Sequence, residues 1–335
     1  MEQFMETGLP IPFGWFAVGY SKDLAPGDVE PLYLFDQHLV LFRTEAGQAK
    51  LLEAFCPHLG AHLGHGGKVV GDNIACPFHA WEINGDGEVR NIPYATNLPK
   101  RAKDGACMRS FPIQERNQMI WAWYHPRAIE PTFDIEDIPE FSDPEWTDPI
   151  TWEWEFNSHI QETGENAVDI AHFVYVHNAQ TMPKANVELD GHKRATDMIT
   201  LGPVIDDEGN MDMSKSEEMH LLSRNIGPGM SCQVFSRAFQ TVLMGTITPI
   251  NAGRVKLRFA FTKPMNISEI FNVYTDGLIQ EIVNQVQHDM PIWENKIYRE
   301  DPILCDGDGP IAKYRRWFAQ FYDDGAEESP VRLVK

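Results

Sequence analysis

Two thiols and two imidazoles stand on two short stretches, Cys56-Pro57-His58 and, 17 residues further on, Cys76-Pro77-Phe78-His79. Two irons bridged by sulfide suit this set, with Cys56 and Cys76 on one iron and His58 and His79 on the other. The same four atoms also suit tetrahedral zinc, although zinc motifs more often repeat Cys-x-x-Cys or His-x-x-x-His pairs. Exchanging two thiolates for neutral imidazoles makes a [2Fe-2S] cluster less negative and raises its potential, so it can accept electrons from an all-cysteine ferredoxin. His62 and His65 lie close by and are expected to pack or hydrogen-bond within the loop.

The second pattern is Asn166-x-x-Asp169-x-x-His172-x-x-x-x-His177. Residues five apart on an ideal helix diverge by roughly 140°, so the helix must loosen or end near His177 if both rings are to meet one ion. A third donor is expected from Asp289. Ile279, Ile282, Val286, Asp289 and Trp293 recur at three- and four-residue steps and form one inward stripe. A buried carboxylate needs a cation or a strong hydrogen bond. A salt bridge would serve, but two histidines and one aspartate also form the facial triad of mononuclear Fe(II) sites, which leaves positions open for O2. Glu281 and Glu294 fall off the stripe and are expected in solvent. Asp169 precedes His172 by three residues and is expected on the same helical face, accepting the imidazole N–H and fixing the tautomer. From the residues alone a helix-surface aspartate serves as well, and a hydrogen bond to a histidine of the first cluster is a further option. Asn166 is a poor metal donor and is assigned a supporting role beside the iron, so Asp169 and Asn166 are the non-ligand catalytic candidates. An electron relay paired with an oxygen-activating iron makes an oxygenase.

Two scaffolds must position these groups. Residues 12–125 read as mostly β, with apolar runs at 32–42 and 49–55 around a turn at 44–47, and a further strand over 119–124. Glycines at 60, 64, 66, 67 and 71 crowd the first motif, as loops wrapping a cluster require. Residues 127–150 turn to Pro, Asp and Glu, with apolar anchors at Phe133, Ile135, Ile138, Phe141 and Trp146. A strand over 151–156 then leads into a helix carrying the second motif. A polar surface loop or lid is expected over 178–217. Short-looped antiparallel strands follow at 218–223, 230–239, 241–248 and 254–262. A long helix over 268–298 and a short one over 311–321 close the chain. The expected organisation is α+β: residues 1–127, a connector over 128–150, and a second domain over 151–335.

A chain of 335 residues has room for two domains of ~100–200 residues each. Its net charge of −21 argues against nucleic acid or an anionic membrane surface as partner. The five cysteines, an odd number without paired spacing, do not form a secreted disulfide framework; Cys107, Cys232 and Cys305 are expected as small packing residues. The acidic residues 1–6 differ from a basic targeting segment, and no apolar run approaches the ~18–20 residues of a membrane span, so a cytoplasmic protein is expected. No dinucleotide fingerprint is present, so reducing power must arrive from another protein.

With both motifs in order, the chain resembles the oxygenase component of Rieske non-haem iron oxygenases, in the branch of 3-ketosteroid 9α-hydroxylases and cholesterol 7-desaturases. Residues 169–177, 289–296 and 308–322 carry the closer likeness. The resemblance implies an all-β Rieske domain followed by a helix-grip domain, in which a curved antiparallel sheet wraps a long helix. It implies a [2Fe-2S] cluster on Cys56, His58, Cys76 and His79, iron on His172, His177 and Asp289, and Asp169 bridging toward a cluster histidine. It further implies a head-to-tail homotrimer. The activity implied is monooxygenation of a bulky apolar, steroid-like ring with O2, electrons coming from NAD(P)H through a reductase, with or without a ferredoxin. Two other readings compete: a Rieske-type desaturase or oxidative demethylase on a non-steroid substrate, and a lipid carrier of helix-grip fold with a vestigial iron site.

Overall fold

Every residue of the run Met119–Tyr124 is buried, as a strand covered on both faces must be. The computed structural model describes residues 8–323, except 180, 207 and 236–238 and the side chain at 213. The acidic residues 1–6 and the segment 236–238 of the strand expected over 230–239 lie outside the described residues.

The unit Gly14–Ile135 comprises β1 (Gly14–Tyr20), β2 (Val29–Leu34), β3 (Gln37–Arg43), β4 (Ala49–Glu53), β5 (Lys68–Val70), β6 (Asn73–Ala75), β7 (Glu82–Asn84), β8 (Val89–Asn91), the short α1 (Lys100–Lys103), β9 (Ser110–Phe111), β10 (Ile113–Arg116) and β11 (Met119–Tyr124). β11 lies between β1 and β10, β2-β3-β4-β9 form a second sheet, and β5-β6-β7-β8 form a third. The buried Arg43 forks onto Glu115 through bonds of 2.9 and 2.7 Å and ties the end of β3 to β10. The expected run over 32–42 is in fact a hairpin. Phe35 and Asp36 turn with φ of 56° and 60°, both left-handed, as a tight two-residue hairpin demands. Phe35 holds this unusual conformation because its ring stacks on Tyr124 at 4.6 Å and packs on Phe16 at 5.4 Å.

The second unit holds Glu136–Lys335 together with Met1–Phe13. The division falls inside the segment 128–150. Phe133 stays with the first unit, where its carbonyl accepts the Trp15 indole N–H at 2.6 Å, whereas Trp146 bridges to Pro264 in the second. The elements are β12 (Ile150–Asn157), α2 (Ile160–Glu165), α3 (His172–Tyr175), β13 (Lys184–Asp190), β14 (Lys193–Ile205), β15 (Met211–Ile226), β16 (Met230–Phe235), β17 (Thr241–Asn251), β18 (Arg254–Thr262), α4 (Glu269–Asn295) and α5 (Ile311–Phe318). Among the described residues the strands form one seven-stranded antiparallel sheet in the order β12-β18-β17-β16-β15-β14-β13.

Two expectations are corrected here. The stretch 178–217 is mostly strand, not loop: β13, β14 and the first part of β15 run through it. Burial alternates along β14, with Arg194, Thr196 and Met198 inward, so the period of two is present but two of its three inward residues are polar. The second motif is not carried by one helix: Asn166 and Asp169 lie in a break over 166–171 between α2 and α3, His172 opens α3 and His177 follows its end.

The C-terminal tail presses on that break. Gly309 has φ +82°, and a Cβ there would lie 2.4 Å from the carbonyl oxygen of Val168. Gly309→Ala should therefore lower the melting temperature by several degrees, a loss of about 2 kcal/mol or more. Gly191→Ala is the control: its φ is +54° with no atom within 4 Å of the added Cβ. Equal melting of the two variants, read by circular dichroism, would count against the contact.

Candidate metal centres

The loops after β4 and β6 share one hydrogen-bond circuit. The Gly60 N–H donates to the Cys56 carbonyl at 2.9 Å and the Ala80 N–H to the Cys76 carbonyl at 3.0 Å. The Cys56 N–H then donates to Ala61 O and the Cys76 N–H to Trp81 O, both at 2.9 Å. Gly60 and Ala80 occupy the same place in the circuit, with φ of 75° and 54°. Cys56 and Cys76 are buried within a core of Val40, Phe42, Leu52, Leu63, Ile74 and Ile83, whereas His58 and His79 sit half-buried at the rim, ring centroids 4.8 Å apart. His58 stacks on Trp81 at 4.5 Å. Burial pushes the Cys56 thiol up to about 11, against the pull of the His58 backbone N–H and with a further push from the Cys76 thiol. Without compensating positive charge the Cys56 sulfur stays protonated. As expected, His62 and His65 serve the loop: His62 Nδ1 accepts the Gly64 N–H at 3.1 Å, and the two rings lie 4.4 Å apart.

The second unit brings His172, His177 and Asp289 together, with one donor atom from each lying within 4.8 Å of the others. α3 is only four residues long and ends at Tyr175, and Asn178 turns to φ +56°, so the five-residue spacing is met by ending the helix. His172 Nδ1 donates to the backbone carbonyl of Asp169 at 2.7 Å, leaving Nε2 with its lone pair free. The expected partner was the Asp169 carboxylate, but its Oδ1 is 3.9 Å from that nitrogen and instead accepts the backbone N–H of Ala171 and His172 at 3.0 and 3.3 Å. Asp169 lies in the helix break and not on the face of a helix, which is why the carbonyl takes the role. Burial alone would raise the Asp169 carboxyl, yet its bonds to His172 hold it below the usual range.

Asp289 emerges from the buried stripe of α4, flanked by Val286 and Trp293. Its Oδ2 accepts the Asn166 side-chain N–H at 2.9 Å, and its Oδ1 lies 3.2 Å from His177 Nε2. Asn166 Oδ1 in turn accepts the Trp293 indole N–H at 3.2 Å. Glu281 and Glu294 are exposed, as the stripe requires. Burial raises the Asp289 carboxyl to about 6, while burial, helped by His172 and His288, lowers the His177 imidazole to about 4.

Residues 14–112 match the Rieske [2Fe-2S] domain, and residues 122–322 match the 3-Ketosteroid 9alpha-hydroxylase C-terminal domain. The chain belongs to the 3-ketosteroid 9alpha-hydroxylase family of Rieske oxygenases. A cholesterol 7-desaturase of Ciona intestinalis is 33% identical to it, over 97% of this chain and 71% of its own length. The oxygenase component of a 3-ketosteroid-9-alpha-monooxygenase of Rhodococcus rhodochrous is 31% identical, over 95% of this chain and 85% of its own. Dicamba monooxygenase bound to dicamba shares the fold, with a TM-score of 0.70 at 20% identity over 92% of this oxygenase and 96% of that chain. The α+β architecture expected from the sequence is thus borne out, and the oxygenase is an O2-dependent oxidoreductase.

The donor sets of this oxygenase fit the groups its family implies. Two buried thiols and two rim imidazoles match a Rieske cluster better than zinc. A buried carboxylate beside an imidazole that burial keeps neutral forms a pair whose natural complement is a divalent cation. Sequence reasoning missed the hydrogen-bonding role of Trp293, which read only as part of the apolar stripe. It also missed the buried Glu165 beside Asn166, gripped by Arg315 at 2.6 and 2.9 Å. The conjunction of an acid inside the motif with an arginine in the tail was the available signal.

In the metal-free site protons compete for Asp289 below about pH 6, while His177 stays neutral to about pH 4. Affinity for Co(II) should therefore fall about tenfold per unit of pH below that point. Asp289→Ala should abolish this site while preserving the visible absorption of the cluster. Titration of the purified chain at acid and neutral pH checks both; pH-independent binding would argue against Asp289 as a ligand.

Proposed function

We propose that this oxygenase hydroxylates a bulky, apolar, steroid-like ring held between α4 and the seven-stranded sheet. The observation that carries the reading is the apolar cluster where the two meet. Leu243 and Phe261 of the sheet pack with Ile279 and Val283 of α4, and Trp152, Trp154, Phe259 and Ile282 line the same place only partly buried. Asp289 follows on the same helical stripe six residues beyond Val283, about 9 Å along the axis. The relatives named for cholesterol and for 3-ketosteroids support this substrate class.

In this reading Cys56, His58, Cys76 and His79 hold the cluster, and His172, His177 and Asp289 hold ferrous iron. When bound, these groups supply single electrons and the activation of O2 for insertion into an unactivated C–H bond. The chain's own part is positional. Asn166 fixes one oxygen of Asp289, the Asp169 carbonyl fixes the His172 tautomer, and the aromatic wall keeps water from the reacting carbon. Electrons come from NAD(P)H through a reductase, with or without a ferredoxin. A head-to-tail trimer is the assembly we favour, because Leu59, Phe78 and Tyr94 stand 61–65% exposed around the rim histidines, a surface suited to burial against another protein. Asp169 Oδ1 is committed to backbone N–H groups, which leaves Oδ2 to reach a histidine of the neighbouring protomer. The unpaired Cys107, Cys232 and Cys305 suit a reducing cytoplasm.

Desaturation is the second reading, favoured by the cholesterol 7-desaturase among the relatives. Product mass separates the two: a gain of one oxygen supports hydroxylation, and a loss of two hydrogens replaces it with desaturation. The purified chain should carry about three irons, two in the cluster and one mononuclear; about two would favour a carrier. Asp169→Asn should keep both metals yet slow turnover with the natural donor ~10–100-fold. Normal turnover by that variant would remove the bridge.

A further inference from the structure

We infer that Gln233 anchors a hydroxyl group of the substrate, so that this oxygenase prefers a ring alcohol to the ketone of the same skeleton. The inference rests on the steroid-like reading and adds which polar group the substrate carries.

The sheet register places Gln233 on the face of the sheet that packs on α4. Leu243 pairs with Phe261 on one side and with Gln233 on the other, and both apolar partners pack on α4. Residues directly opposite in neighbouring strands share a face. Across this face the β12–β18–β17 half is apolar and aromatic, whereas β16 and β15 bring Ser231, Gln233 and Ser223 beside Phe235, with Gln233 paired to Ser223. Between the halves lies Gly245, where a Cβ would meet Ser231 Oγ at 2.6 Å and the Phe259 ring at 3.5 Å. Glycine thus lets the serine hydroxyl and the aromatic wall close on this row.

The hydrogen-bond directions among these polar residues follow from Ser231. Its Oγ donates its single hydrogen to Gly245 O at 3.2 Å. It then accepts from Gln233, which turns the amide nitrogen toward the serines, at 3.4 Å from Ser231 Oγ and 3.5 Å from Ser223 Oγ. Gln233 Oε1 is then a carbonyl oxygen shielded from water, and among the described residues it has no donor. Such an acceptor is satisfied by an incoming O–H and repelled by an incoming C=O. Ile279 and Val283, which meet the Leu243–Phe261 row, lie ten and six residues before Asp289. The row is therefore about 9–15 Å along α4 from the carboxylate, within reach of a fused-ring skeleton whose other end lies at the metal site.

The test uses the full chain without reductant, so that nothing turns over, and reads binding by quenching of tryptophan fluorescence. The probes are androstan-3-ol, androstan-3-one and the parent hydrocarbon androstane, with the wild type, Gln233→Leu and Gln233→Glu. The wild type should bind the alcohol about tenfold or more tighter than the ketone. Gln233→Leu should bind both with similar affinity, and Gln233→Glu, which keeps an acceptor, should restore the preference. Equal affinities in the wild type, or a preference that survives in Gln233→Leu, overturn the role of Gln233 and leave the steroid-like reading standing. Binding of none of the three probes overturns that reading, and this inference with it.

Discussion

A carboxylate buried in an apolar helix stripe is the constraint on which the catalytic half of this oxygenase depends. Ionised Asp289 beside Val286 and Trp293 is costly, and its observed contacts are an amide and an imidazole, not an ammonium or guanidinium. A permanent cation would settle the charge and leave nothing for a metal to do. The Asn166 amide settles only one oxygen, and Trp293 holds that amide from the far side. Oδ1 is left beside His177, so the carboxylate is presented by one oxygen with its orientation fixed. The opposed shifts of Asp289 and His177 follow from the same burial.

Geometry of this kind needs a rigid support for Asn166, which opens the break between two short helices, and for His172, which follows it. The support comes from the far end of the chain. Arg315 grips Glu165 with two bonds, Lys296 reaches Glu162 at 3.0 Å, and Gly309 lets the backbone close on Val168. Buried ion pairs add little net stability because both partners lose water, but they penalise any other arrangement of the same charges. Their use here is to make one geometry of the break much better than its neighbours.

The parts of this plan that were legible in the sequence are those whose signal is local. The Cys/His motif and the α4 stripe are periodic or closely spaced, and the strand over 119–124 is apolar throughout, so each can be read without knowing its neighbours. The strands over 184–217 were hidden because β14 buries Arg194 and Thr196 where a reader expects apolar residues. Arg194 is tolerated there because Thr196 and Asn225 accept from it and the Tyr314 ring lies 5.8 Å away. All but Thr196 are distant in sequence. The turn at Phe35 was hidden for the same reason, its left-handed backbone being compensated by rings that the chain brings from 16 and 124.

The iron–sulfur motif shows the opposite case, where sequence looks irregular and structure is regular. Cys-x-His and Cys-x-x-His differ by one residue, which on a shared scaffold would seem to displace one imidazole. The two loops nonetheless have the same length and the same hydrogen-bond circuit, with Gly60 and Ala80 at equivalent left-handed positions. Histidine is simply drawn from the third residue of one loop and the fourth of the other. Ala80 bears a conformational penalty of about 1–2 kcal/mol that Gly60 avoids. That it is borne implies that the circuit, which holds each cysteine by both its N–H and its carbonyl, constrains the loops more strongly than local preference does. The sulfurs are thereby fixed in the core, and the two imidazoles are left half-buried at its rim.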